Sequence, residues 1–146
     1  AYRRRFVDYL ARVDVVKVSA EDLEFLDADA ARGDAARALL DQGPLAVLVT
    51  DGAAPARVYT QGAELSVDVP NVAVVDTVGA GDAFAAAFLT SWTAQSFSRA
   101  DLTAAAALAA ATPPTVEVAA ATCTWRGAHP LTQSPPGAAR IHQELR

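Results

Sequence analysis

Asp76-Thr77-Val78-Gly79-Ala80-Gly81-Asp82-Ala83-Phe84 is a glycine-rich turn that ends in a carboxylate and runs into an apolar stretch. Glycines at 79 and 81 allow consecutive N–H groups to turn inward and form a concave nest for anionic oxygens. The helix expected to start near Asp82 adds its unpaired first-turn N–H groups and positive dipole end to the same pole. The carboxylate of Asp82 opposes a bound anion, so simple phosphate binding gains nothing from it. Phosphoryl transfer does gain, because a base is needed beside the acceptor hydroxyl. The plainer alternative is a tight strand-to-helix connection with Asp82 as an N-cap. Neither a Walker A loop nor a Gly-x-Gly-x-x-Gly dinucleotide fingerprint is present.

Two other stretches bring groups suited to the same chemistry. In Lys17-Val18-Ser19-Ala20-Glu21-Asp22, Ser19 has N-cap chemistry and Asp22 the acidic N3 place of a short helix through Leu23, Phe25 and Leu26. Thr50-Asp51-Gly52 closes an apolar run, at the carboxyl end where open α/β sheets place their ligands. Cys123 is the single cysteine and reads as a small apolar residue, while His129 and His142 read as surface groups. No Cys/His cluster has metal-ligand spacing.

The elements that must position these groups follow from periodicity. Tyr2, Phe6, Tyr9, Leu10 and Val13 recur at helical spacing, with the arginines at 3 to 5 on the solvated face. Residues 13–18 and 45–50 are rich in β-branched and apolar side chains and read as buried strands. Between them, residues 34–40 form an amphipathic helix stopped by Gly43-Pro44. Residues 57–60 and 65–69 alternate like a hairpin around Gly62. After Asp82, Phe84, Phe88 and Trp92 share one helical face. An alanine-rich helix is expected over 102–111, broken by Pro113-Pro114 and resumed over 116–122. The Pro135-Pro136 tail and the end beyond it read as peripheral.

Bulk composition bounds the rest. A chain of 146 residues, 52% hydrophobic and 20% charged, suits one globular α/β domain. The net charge of −5 argues against nucleic acid or an anionic membrane as the main partner, so a phosphate site must be local. The lone cysteine and the lack of a membrane-length apolar run or signal-type leader point to a cytoplasmic protein. No methionine occurs, so the chain is expected to be a piece of a longer protein.

The string Asp-Thr-x-Gly-Ala-Gly-Asp, followed by Ala83, Phe84 and a small-residue helix, resembles the second signature of the ribokinase-type (PfkB-type) carbohydrate kinases, the fructokinase-like members in particular. Lys17 to Asp22 is similar to the Lys-x-Ser-x-Glu-Glu variant of the family's magnesium and phosphate motif. Thr50-Asp51-Gly52 resembles its Thr-x-Gly-x-x-Gly, with Pro55 in place of the last glycine, and Arg126-Gly127-Ala128-His129-Pro130 resembles its closing loop. The resemblance implies a three-layer α/β/α, Rossmann-like (ribokinase-like) fold with a mostly parallel sheet, of which 1–146 is the carboxyl-terminal, nucleotide-binding and catalytic part. It implies ATP-dependent phosphorylation of a sugar hydroxyl, with Asp82 as base, Gly79, Ala80 and Gly81 as anion hole, and Thr50, Gly52 and Gly81 near the nucleotide. Asp76 would hold a monovalent cation and Asp22 would join a magnesium network, making ATP, Mg2+ and K+ the implied cofactors. The implied partners are ATP and a small-molecule sugar, with a homodimer of the longer parent also open. Two alternatives stay open: a truncated, non-catalytic nucleotide-binding remnant, and a related kinase for 2-keto-3-deoxygluconate, ribose or a nucleoside.

Overall fold

A computed structural model describes residues 2–127; His129 and His142, expected at the surface, and the proline-rich tail lie outside them. The order of elements is α1 (Tyr2–Leu10), β1 (Val15–Ser19), α2 (Ala20–Leu26), α3 (Arg32–Leu40), β2 (Ala46–Asp51), β3 (Ala54–Tyr59), β4 (Glu64–Val67), α4 (Ala80–Ala94), a short 3-10 turn (Arg99–Thr103) and α5 (Ala105–Thr122). The strands form one sheet in the order β1-β2-β3-β4. β1 and β2 are parallel, with Lys17 opposite Leu48 and Ser19 opposite Thr50, whereas β2–β3 and β3–β4 are antiparallel. Within the described residues the sheet is therefore mixed, its parallel part being the β1–β2 pair.

Side-chain alternation in the strands builds two cores on one sheet. Ala46 and Leu48 of β2, with Ala56 and Val58 of β3, face Phe84, Phe88, Trp92, Leu108 and Val116 of α4 and α5. Val47 and Val49, with Val16 and Val18 of β1, face Leu10, Leu23, Ala36 and Leu39 from the first three helices. The result is three layers, helix–sheet–helix. In α1, Leu10 is buried and Phe6 packs beside it, while Tyr9, expected on the apolar face, is 66% exposed.

Pro55 occupies an inner strand, where a missing N–H would ordinarily break the ladder. Val49 pairs with Arg57 and Asp51 with Ala54, so Thr50 alone faces both Pro55 and Ala56. β3 thus carries the extra residue of a bulge, and the proline sits in it.

The expected break at Pro113-Pro114 is not found, because α5 runs unbroken from Ala105 to Thr122. Both prolines lie on the exposed face, and so do Ala109 and Ala110, whose carbonyls lose their i+4 N–H partners and meet water instead. On the buried face, Thr112 Oγ1 donates to the Leu108 carbonyl at 2.7 Å and Thr115 Oγ1 to the Ala111 carbonyl at 2.9 Å. The helix survives because its defect is confined to the wet side.

Leu108 is fully buried between α5 and the sheet. Leu108→Ala is expected to cost about 2–5 kcal/mol, and Thr112→Val, which keeps the shape but removes one buried hydrogen bond, about 1 kcal/mol. Urea unfolding of the two variants beside the wild type checks both; equal losses would contradict this account of α5.

Candidate active site

The carboxyl ends of β1 and β2 and the start of α4 meet on the α4–α5 side of the sheet. At the end of β1 the capping box forms as expected. Ser19 Oγ accepts the Asp22 N–H at 3.0 Å and Asp22 Oδ2 accepts the Ser19 N–H at 2.8 Å. The Ser19 backbone and then its side chain, both hydrogen-bonded to Asp22, hold that carboxyl below its ordinary value. Opposite Ser19 on the neighbouring strand, Thr50 leads into the tight turn at Asp51-Gly52 (φ 54°) that joins β2 to β3.

Arg32, at the head of α3, pairs with Asp51 of that turn and, at 3.1 Å, with Glu24 of α2. Sequence reasoning missed this bridge, since nothing in the spacing of three residues on three elements announces it.

The α4 turn differs in detail from the expectation. The N-cap is Gly79 rather than Asp82, and Gly79 alone of the two signature glycines is left-handed, at φ 83°. A side chain would be strained there. Gly81 is inside the helix with ordinary backbone, so conformation does not require glycine at 81. Space does: a Cβ built on Gly81 would stand 2.8 Å from Lys17 Nζ. The Ala80 N–H is taken by the Thr77 carbonyl at 3.2 Å, whereas the N–H groups of Gly79, Gly81 and Asp82 have no backbone partner among the described residues. These three, rather than Ala80, supply the free donors at the helix pole. Asp82 is exposed at N3 of α4, beside them.

Asp76 ties the signature to the end of α5. Its Oδ1 accepts the Val78 N–H at 3.0 Å and its Oδ2 the Gly127 N–H at 2.8 Å, while the N–H groups of Val75 and Asp76 both reach the Cys123 carbonyl. The Val78 and Gly127 bonds hold the Asp76 carboxyl below the ordinary aspartate range. Burial, and then the charge of Asp76, push the Cys123 thiol up, away from the reactive thiolate.

A cavity of about 410 Å³ opens at this junction. Its walls are the β2–β3 turn with Thr50 and Gly52, the linker at Val69, Pro70 and Val74, the start of α4 with Thr77, Ala80 and Gly81, and α5 with Val116, Ala119 and Cys123. The predicted nucleotide residues Thr50, Gly52 and Gly81 therefore converge on one space. Gly79, Asp82, Asp76 and Asp22 stand outside its lining. The α5 wall was not named from the sequence, where small residues on an alanine-rich helix signal only close packing. Among the described residues no group of three or more His, Cys, Asp or Glu could hold a metal, and no helix is long and apolar enough to cross a membrane.

A mixed sheet between helical layers, with a glycine-capped helix pole and a carboxylate beside a cavity at the strand ends, defines a three-layer α/β protein whose ligand space lies at its strand ends. The family model for "pfkB family carbohydrate kinase" matches residues 2–129, and the chain belongs to that family. It is 41% identical over 81 residues to a fructokinase of Rhizobium leguminosarum bv. trifolii, a match covering 56% of this chain and 25% of that protein. Among solved structures, fructokinase with bound ATP from Xylella fastidiosa superposes with a TM-score of 0.77 at 29% identity, over 88% of this chain and 42% of that one. A double-mutant fructokinase of Vibrio cholerae in fructose, ADP and potassium ion bound form gives 0.76 at 28% identity, over 86% and 39%. The fold is thus the ribokinase-like α/β fold, and the chain spans less than half the length of these relatives.

The Asp76 clasp has a signed pH dependence. With the folded carboxyl depressed by backbone donors, its contribution is present above the unfolded value and is lost as pH falls through the folded one. Carbon-13 titration of the Asp76 carboxyl should show a midpoint below that of an ordinary aspartate, and Asp76→Ala should speed hydrogen exchange of the Gly127 amide. An ordinary midpoint with unchanged exchange would show that the clasp is absent in solution.

Proposed function

We propose that this chain is the nucleotide-binding and catalytic part of an ATP-dependent sugar kinase of the fructokinase kind. The observation that carries this reading is the convergence of Thr50, Gly52 and Gly81 on one cavity at the start of α4, in a chain of the pfkB family. The small residues of α5, Ala119 and Ala120, leave room for a flat base against an apolar wall. The phosphates lie at the start of α4, held by the free N–H groups of Gly79, Gly81 and Asp82.

The Asp82 carboxylate accepts the proton of the sugar hydroxyl as its oxygen attacks the terminal phosphorus. The bond from that phosphorus to the bridging oxygen breaks, and the electron pair leaves with ADP. Magnesium commonly binds through one or two carboxylates, phosphate oxygens and water, so Asp22 suffices as a protein anchor without a cluster of acids. When bound, the ion neutralises phosphate charge. A potassium ion, of the kind named in the Vibrio cholerae structure, would sit at Asp76, whose two oxygens each keep a lone pair beyond their backbone bonds.

The other reading is a nucleotide-binding segment without transfer of its own. The position of Asp82 outside the lining of the cavity favours it. A phosphorylation screen against fructose, ribose, 2-keto-3-deoxygluconate and nucleosides separates the two and names the sugar. The chain by itself is expected to turn over poorly, because acceptor positioning supplies several kcal/mol of barrier reduction; ordinary kinase turnover from the purified chain would refute this.

In the intact kinase, Asp82→Asn is expected to lower kcat by about 10²–10⁴-fold, roughly 3–5 kcal/mol, since an amide cannot take the proton. ATP binding should hold or tighten slightly, because a negative charge beside the phosphates is removed. Kinetics run beside calorimetry with a non-hydrolysable ATP analogue would decide. Parallel loss of binding and turnover would show that Asp82 is a binding residue.

A further inference from the structure

Among the described residues that line the cavity, only Asp51 carries a charge, and its sign is the wrong one for a nucleotide. The rest of the lining is apolar side chains and glycines, with two threonines, an asparagine and a thiol. A bare carboxylate on such a wall repels each phosphate that enters, and a wall of low polarity screens little of that repulsion.

Asp51 is not bare. Arg32 Nη1 donates to Asp51 Oδ2, and Arg32 Nη2 donates to Glu24 Oε1 at 3.1 Å. The guanidinium thus ties α2 and α3 to the β2–β3 turn. Helix chemistry does not explain an arginine there. Arg32 opens α3, where a cation faces the positive dipole end, and the N-cap before it, Ala31, makes no side-chain bond. Nor does fold stability, since the three side chains are roughly half exposed and ion pairs in such places contribute little. The carboxylate on the cavity wall gives the arginine a purpose.

We propose that Arg32 is a positioning residue for this site: it holds and neutralises the Asp51 carboxylate on the cavity wall, and thereby sets the preference for a polyphosphate over an uncharged nucleoside. The assignment rests on the nucleotide-site reading above. It requires no contact between Arg32 and the ligand, because Arg32 stands outside the lining and acts through Asp51.

The test titrates ATP and adenosine, by calorimetry, into the wild-type chain, Arg32→Met, Asp51→Asn and the double variant. Arg32→Met should weaken ATP by about 3- to 30-fold, the effect of one uncompensated charge at a partly screened distance, and leave adenosine nearly unchanged. The ratio between wild type and Arg32→Met should shrink as ionic strength rises. Asp51→Asn should hold or tighten ATP, and the double variant should return to the affinity of Asp51→Asn alone. Unchanged ATP affinity in Arg32→Met, or equal weakening of ATP and adenosine, overturns the proposal. A double variant as weak as Arg32→Met also overturns it, because Arg32 would then act on the ligand or the fold rather than on Asp51. So does a loss of both ligands in Asp51→Asn, which would make Asp51 a nucleoside ligand. Each of these outcomes leaves the nucleotide site standing. A wild-type chain that binds neither ligand overturns the nucleotide-site reading and this proposal with it. Thermal unfolding checks that each variant is folded, and Arg32→Gln replaces Arg32→Met if that variant is not.

Discussion

β2 has water on neither face, and the rest of the structure is arranged around that constraint. Ala46, Val47, Leu48 and Val49 are all buried, alternately in the two cores. A one-residue slip would exchange the two sets and put each into the wrong layer. The strand's register against β1 and β3 is thereby fixed, and with it the point at which Thr50 leaves the sheet. From there the chain must turn at once, and it does so at Gly52 into β3, with the bulge at Pro55 absorbing the mismatch.

The second layer of organisation is electrostatic and lies at helix ends. The first turn of α2 is closed on itself by Ser19 and Asp22, so its donors are spent locally. The first turn of α4 is left open, because its cap is a glycine with no side chain to offer. That difference closes one helix start on itself and leaves N–H donors of the other free. Asp76 contributes by pinning the loop before α4 to the backbone after α5, which sets the pole at the mouth of the cavity.

Packing of α4 and α5 shows what small residues permit. Phe84, Phe88 and Trp92 fill one face of α4, with Phe88 and Trp92 rings stacked at 5.6 Å and Phe97 closing on Trp92 at 4.9 Å. The alanines of α5 let it approach closely enough to bury Thr112 and Thr115, whose hydroxyls find carbonyls one turn back. Sequence reading at Pro113-Pro114 failed because proline propensity assumes that every freed carbonyl matters equally. A carbonyl facing water loses little.

The sequence by itself determined most of the elements. Alternation in 45–50, the spacing of Phe84, Phe88 and Trp92, and the pair Ser19 and Asp22 are local signals, set by periods and cap chemistry that need no distant partner. The signature from Asp76 to Asp82 likewise announced a glycine-rich helix start with a carboxylate in its first turn. Tertiary structure decided which residues meet. Lys17 with Gly81, Arg32 with Asp51, and Asp76 with Gly127 are each separated by many residues and joined by the way β1, β2 and the two outer helices stack. Even the reason for glycine at 81 changed, from backbone freedom to room for a lysine. The cause is physical: one chain records the shape of each element in its own neighbours, but the space between elements exists only after both cores have closed on the sheet.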